Sequence, residues 1–162
     1  MIKKQILNYI KNVLEVPRDE YDGLSACPFV KKERENNNIY IKNLDNNDGF
    51  ISLMDEFYKS GEDNAIFIVE GEIPNSNTKT YQDDLNKRLL LNAYINHTAL
   101  CINPKDEFEV DGLNVRSQAP CFLILINNQK EINIAHERML KTKYFDKMSI
   151  KYKEFLGIKN MV

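Results

Sequence analysis

The chain has no tryptophan, and it has six glycines and five prolines among 162 residues. With so little glycine it has neither a GxxxxGK[ST] loop nor a GxGxxG turn, so the usual backbone cradles for nucleotide phosphates are excluded. It also has no GxSxG elbow and no HExxH pair. Cysteine is sparse and odd in number: Cys27, Cys101 and Cys121 form no CxxC pair. That argues against a disulfide framework and for free thiols in a reducing compartment, the cytoplasm. The longest apolar run, from Cys121 to Ile126, stops far short of the roughly 20 residues that cross a bilayer. Met1-Ile2-Lys3-Lys4 starts basic, but no small-residue cleavage site follows, so no signal peptide is expected. A net charge of −2 provides no field to draw the chain to nucleic acid or to a membrane. The local exception is the run of Lys141, Lys143, Lys147, Lys151 and Lys153.

What is present is an ordinary globular mixture, 43% hydrophobic and 28% charged, with no repeat or linker to divide it. The expectation is one domain over residues 1–162. Ile2, Ile6, Ile10, Val13 and Leu14 mark one face of a helix that ends at Pro17. A loop over 17–32 leads to a short strand at Ile39-Tyr40-Ile41. Phe50 to Tyr58 has helical spacing and is stopped by Gly61. Ala65 to Val69 reads as a strand covered on both faces. After the polar loop Pro74 to Thr78, a helix is expected from about Thr80 to Asn96, with Thr80 as its cap. Strands follow at Ala99–Ile102 and Phe122–Ile126, then helix from about Ile132 with a break near Thr142 to Met148. The order αβαβαββα predicts an α/β or α+β domain, with helices on a mixed sheet of about four strands. Parallel neighbours are expected among the first three strands, and an antiparallel last pair.

Four groups of residues carry candidate chemistry. Cys27 precedes Pro28, and proline suits the first position of a helix. At such an N-cap, with Lys31, Lys32 and Arg34 close by, a thiol would ionise readily and act as nucleophile or redox centre. The bland alternative is a buried small hydrophobe at a turn. Arg116 leads into a buried strand and so needs a counter-charge. That partner is either an anionic ligand, helped by Asn114 and Ser117, or an internal carboxylate. His97, at the expected end of the third helix, and His136 are candidate proton shuttles. A metal held by His97, Cys101, Cys27 and Cys121 has no familiar ligand spacing, so no metal site is assigned. The acidic clusters Asp83-Asp84 and Asp106-Glu107 with Glu109 and Asp111 read as solvated surface rather than a cation site. No cofactor is indicated.

Taken in order, three segments resemble a family of uncharacterised bacterial proteins known only as a domain of unknown function. Those proteins carry Leu-Cys-Pro-Phe after the first helix, then His-Pro-x-x-x-Phe, then Asn-Arg-Ser-Pro-x-Pro before an apolar strand. This chain has Cys27-Pro28-Phe29, Pro104 with Phe108, and Arg116-Ser117 with Pro120. It departs from the pattern at Asn103 and Leu123, where the family has histidines, and at Gln118, where it has proline. The resemblance singles out Cys27 and Arg116 and implies no reaction.

Two functions fit. One is a small cytosolic enzyme acting on a small anionic metabolite, with Cys27 as thiol, Arg116, Asn114 and Ser117 holding the anion, and His97 or His136 moving the proton. The other is a noncatalytic binding or regulatory protein that engages a protein partner or a second copy of itself, with these motifs as structural turns.

Overall fold

The computed structural model describes residues 2–28, 30–70, 73 and 77–158. Its centre is a four-stranded sheet of β1 (Ile39–Leu44), β2 (Asn64–Val69), β3 (His97–Ile102) and β4 (Phe122–Asn128), in the order β1-β2-β4-β3. β1 and β2 are parallel, with Ile41 beside Ile66. β4 runs antiparallel to both its neighbours, with Phe67 beside Ile124 and Leu100 beside Leu125. β1, β2 and β3 therefore point one way, as the helical connections require, but β3 is not a neighbour of β2. The long return through residues 103–121 lets β4 enter between them. The expected mixed sheet of four strands with packed helices is what forms.

β2 is buried along its whole length, which explains its unbroken apolar sequence. Ala65, Phe67 and Val69 face α3 (Phe50–Ser60) and α4 (Thr78–Leu91). Ile66 and Ile68 face α1 (Ile2–Tyr9) and the C-terminal segment, which contains α5 (Gln129–Leu140) and α6 (Ile150–Phe155). Period-two alternation along the strand thus places the sheet in the middle of three layers.

Several local expectations are corrected. α2 (Val30–Glu35) is a short helix that begins at the end of the expected 17–32 loop and runs past it. Arg34 Nη2 donates to Glu15 Oε1 at 2.9 Å and ties this helix to the end of the first one. There α1 continues as a π-helical turn, Ile10–Leu14, in which Glu15 N–H returns to Ile10 O at 2.9 Å. The cap of α4 is Asn77, whose Oδ1 accepts from Thr80 N–H at 3.1 Å, rather than Thr80 itself. α4 ends at Leu91 and not Asn96, because Ala93 takes φ +66° and Tyr94 N–H turns back to Leu89 O at 2.8 Å. His97 consequently opens β3 instead of closing a helix. Gly61 stops α3 as expected, at φ +79°. The loop residues Pro74, Asn75 and Ser76 lie outside the described residues.

β3 is an edge strand, and side chains take the place of its missing neighbour. Asn86 of α4 donates from Nδ2 to Ala99 O at 3.0 Å and accepts at Oδ1 from Ala99 N–H at 2.8 Å. Buried Gln82, one turn earlier, accepts from Cys101 N–H at 2.8 Å and donates to Phe155 O at 2.9 Å. Arg116 Nη2 donates to Cys101 O. Gln82→Leu leaves Cys101 N–H and Phe155 O unpaired in a buried site. The expected loss is about 2–4 kcal/mol of stability, measured by urea unfolding.

Candidate functional site

The inner layer between the sheet and the helices that flank it on the α1 side is not filled. A cavity of about 410 Å³ starts there, with Ile66 and Leu125 of the sheet as its floor, and its lining extends past the β3 edge to exposed Lys79 and Asp83 of α4. Tyr9 and Leu14 from the end of the first helix, Cys27 from the following turn, and Tyr144, Tyr152 and Phe155 from the C-terminal segment wall its inner part. Arg116 and His136 also reach its wall. Cys27, Arg116 and His136 thus line one cavity.

It does not bring in the other expected residues. His97 lies on the opposite face of the sheet, with ring centroids 5.8 Å from Phe57 and 6.1 Å from Tyr94. Its position on β3 decides this, since Ala99 and Cys101 share its face and pack with α3 and α4. Asn114 and Ser117 do not line the cavity and are used within their own turn. Asn114 Oδ1 accepts from the N–H groups of Arg116 and Ser117, both at 3.1 Å, and Ser117 Oγ donates to Asn114 O at 2.8 Å. Asn114 Nδ2 donates to Asp106 O at 2.8 Å.

Arg116 is 3% exposed. Its counter-charge is internal: Asp106 Oδ2 lies 3.7 Å from Nη2, while Asp106 Oδ1 accepts from Thr78 Oγ1 at 2.9 Å. The guanidinium also sits 4.6 Å from the ring centre of Phe155, 5.7 Å from Phe108 and 6.0 Å from Tyr152. Aromatic faces stabilise a desolvated cation, which is how this charge tolerates burial. Arg116 Nε nevertheless has no hydrogen-bond partner, and neither does Asp106 Oδ2. The 3.7 Å ion pair is made by Nη2 and is too long to satisfy Asp106 Oδ2.

Cys27 is half-buried as a residue, with its N–H donating to Leu14 O and its carbonyl accepting from Val30 N–H, each at 3.2 Å. α2 is only six residues long and begins at Val30, so Cys27 precedes it by one turn. Phe29, the last residue of the Cys-Pro-Phe segment, lies outside the described residues. Protein atoms crowd the Cys27 sulfur, and this desolvation pushes the thiol up to about 12, overcoming the bond from Val30; Glu15 raises it slightly further. The thiol is thus neutral at pH 7, the reverse of the ionised N-cap thiol expected from the sequence. Burial also raises the thiols of Cys101 and Cys121, and all three cysteines are free. His136 is held below its ordinary value by burial and is a neutral imidazole at pH 7, 6.3 Å from the Phe145 ring.

The sequence reading missed the tyrosines of this cavity. Tyr9 donates to Val115 O at 2.8 Å, Tyr144 donates to Ala26 O, and the Tyr21 ring lies 4.9 Å from that of Tyr144. Burial pushes Tyr9, Tyr21 and Tyr144 above the usual phenol range, so they are neutral. Tyr9 was legible, because it falls three residues after Ile6 on the apolar face of the first helix; the others sit in turns or short helices. Among the described residues no three His, Cys, Asp or Glu side chains converge to hold a metal, and no helix is long and apolar enough to cross a membrane. The lysines at 141, 143, 147 and 151 are exposed, and Lys147 lies 3.3 Å from Asp111.

No protein-family model, curated protein or solved structure matches this chain.

Two results are expected. Asp106→Asn and Arg116→Met each cost about 3 kcal/mol in chemical denaturation, and the double variant costs clearly less than the sum, because each single change strands the other group. Alkylation of Cys27 by iodoacetamide is slow at neutral pH and rises with pH towards 12. At pH 7 the thiol is protonated, and mass spectrometry of labelled peptides reads the rate.

Proposed function

We propose that this chain is a small-molecule binding protein of a reducing, cytoplasmic compartment. Its ligand is a mostly apolar, ring-sized molecule bearing one acceptor oxygen, a carboxylate or a carbonyl. The ligand occupies the cavity beneath Tyr9 and Tyr144, and its oxygen accepts from Arg116 Nε. The observation that carries this reading is the Nε–H donor: buried, without an acceptor, and part of an arginine in the wall of a 410 Å³ cavity. An unmade hydrogen bond to a charged donor is expensive, and a ligand that supplies the acceptor recovers that energy. The cavity size falls in the range of small-ligand sites, roughly 300–1,000 Å³. The Tyr9 and Tyr144 hydroxyls bond within the protein, so Arg116 rather than either phenol gives the site its polar end.

A catalytic form of the same reading rests on the shared cavity wall of Cys27 and His136. The neutral imidazole takes the proton from the neutral thiol as sulfur attacks a carbonyl carbon of the ligand, and returns it to the leaving group. This preserves the enzyme that acts on a small anionic metabolite as the second reading.

The test is a thermal-shift screen of aromatic carboxylates and carboxamides against hydrocarbon analogues lacking the oxygen. Compounds with the oxygen raise Tm and the hydrocarbons do not. Cys27→Phe, whose larger side chain intrudes on the cavity, lowers Tm by overpacking, and its folded form binds the same compounds at least about tenfold more weakly. Absence of any shift, or equal shifts for the hydrocarbons, removes the reading. Consumption of a bound compound by the parent but not by Cys27→Ser selects the catalytic form.

A further inference from the structure

The two edges of the sheet are treated differently. At β3, Asn86, Gln82 and Arg116 occupy the outward backbone groups of Ala99 and Cys101. At β1, on the other edge, no hydrogen bond from any described residue reaches the outer backbone groups of Ile39–Leu44. Ile39, Tyr40 and Ile41 are half-buried, and Lys42 and Asn43 are exposed. An unpaired edge of this kind is a template for another strand.

We propose that β1 pairs with β1 of a second copy of this chain, antiparallel about a two-fold axis at Ile41, joining two sheets into one. Charge chooses both the occupant and the register. In a two-fold antiparallel pair one residue must lie opposite itself. If that residue is Lys42, two ammonium groups face each other. If it is Tyr40, the partner must continue into Asn36, Asn37 and Asn38, which form the turn before the strand. With Ile41 at the axis, residues 39–43 all pair. Ile41 meets Ile41 on the cavity side of the sheet, and Lys42 falls opposite Tyr40 on the α3 side.

Tyr40 donates to Glu56 Oε2 of α3 at 3.3 Å, so each Lys42 is brought to a tyrosine ring and a carboxylate that face solvent in the single chain. The same complementarity occurs twice, once on each side of the axis. A foreign strand would have to match Lys42 and Glu56 separately, whereas a second copy matches them by symmetry. Cross-strand opposites lie within about 5.5 Å at Cβ, close enough for a lysine to reach both groups. This pairing is independent of the cavity and its ligand.

Sedimentation equilibrium of the full chain over a wide concentration range is the test. The parent is expected to form a dimer. Lys42→Glu places a carboxylate beside Glu56 of the other copy and raises the dimer dissociation constant about tenfold. Lys42→Glu combined with Glu56→Lys restores parental affinity, and both positions are exposed, so folding is not at stake. Ile41→Cys forms an intermolecular disulfide at residue 41 under mild oxidation. A chain that stays monomeric throughout overturns the proposal. So does a dimer that Lys42→Glu leaves intact and Leu91→Glu breaks, which would assign the contact to the exposed apolar face of Tyr58 and Leu91 instead.

Discussion

The amide of Asn86 holds Ala99 as a neighbouring strand would, giving one bond and accepting one. Gln82, four residues earlier on α4, extends that imitation to Cys101, and Arg116 completes it at the Cys101 carbonyl. Much of the architecture depends on this sealed edge. It fixes the axial position of α4 against β3, because the two amides stand one helical turn apart while their backbone partners stand two residues apart. It brings Arg116 to the end of β3, and with it the loop that carries Asp106 and Phe108. Through Gln82 it also holds the Phe155 carbonyl, so the last helix is anchored to the same place.

The burial of Arg116 follows from that arrangement rather than preceding it. A guanidinium is tolerated here because three aromatic rings, one carbonyl and one carboxylate surround it. None of these completes its hydrogen bonding: Asp106 stands 3.7 Å away and engages Thr78 instead. The buried charge that organises the end of the sheet is therefore also the least satisfied donor in the cavity wall. One residue joins the stability of the fold to the binding proposed for the cavity, so substitutions at Arg116 would report on both.

The sheet and its layers were legible because their signals are local. β2 and β4 are unbroken apolar runs, and α1 and α3 have clear apolar spacing. The position of β4 between β2 and β3 was not legible, since strand order is decided by the return path of residues 103–121 and leaves no periodic trace. α2 was half legible: Pro28 marked a helix start close to its position, but six residues rich in lysine and glutamate present only Val30 to the core, so no helix stood in the expected element order. The site was half legible. Cys27 and Arg116 stood out as unusual residues in turns and do share a cavity. The ionisation of Cys27 was misjudged because a helix-start argument counts dipole and cations, whereas desolvation by surrounding protein atoms is the larger effect. His97 was misplaced by its helix ending early at Ala93, which put the imidazole on the opposite face of the sheet.

The cavity has a rigid floor and a soft roof. Below it lie β-strands paired on both sides; above it lie a π-helical turn, the irregular segment from Arg18 to Cys27 and a six-residue helix. Short helices and turns open locally at a fraction of the free energy needed to part a central strand. The Leu14–Cys27 and Tyr144–Ala26 contacts hold that roof, so this side of the cavity yields before the sheet does. For the ligand proposed above, affinity and residence time would then separate: a change that tightens the roof without touching the ligand would slow arrival and departure alike and leave the equilibrium nearly unmoved.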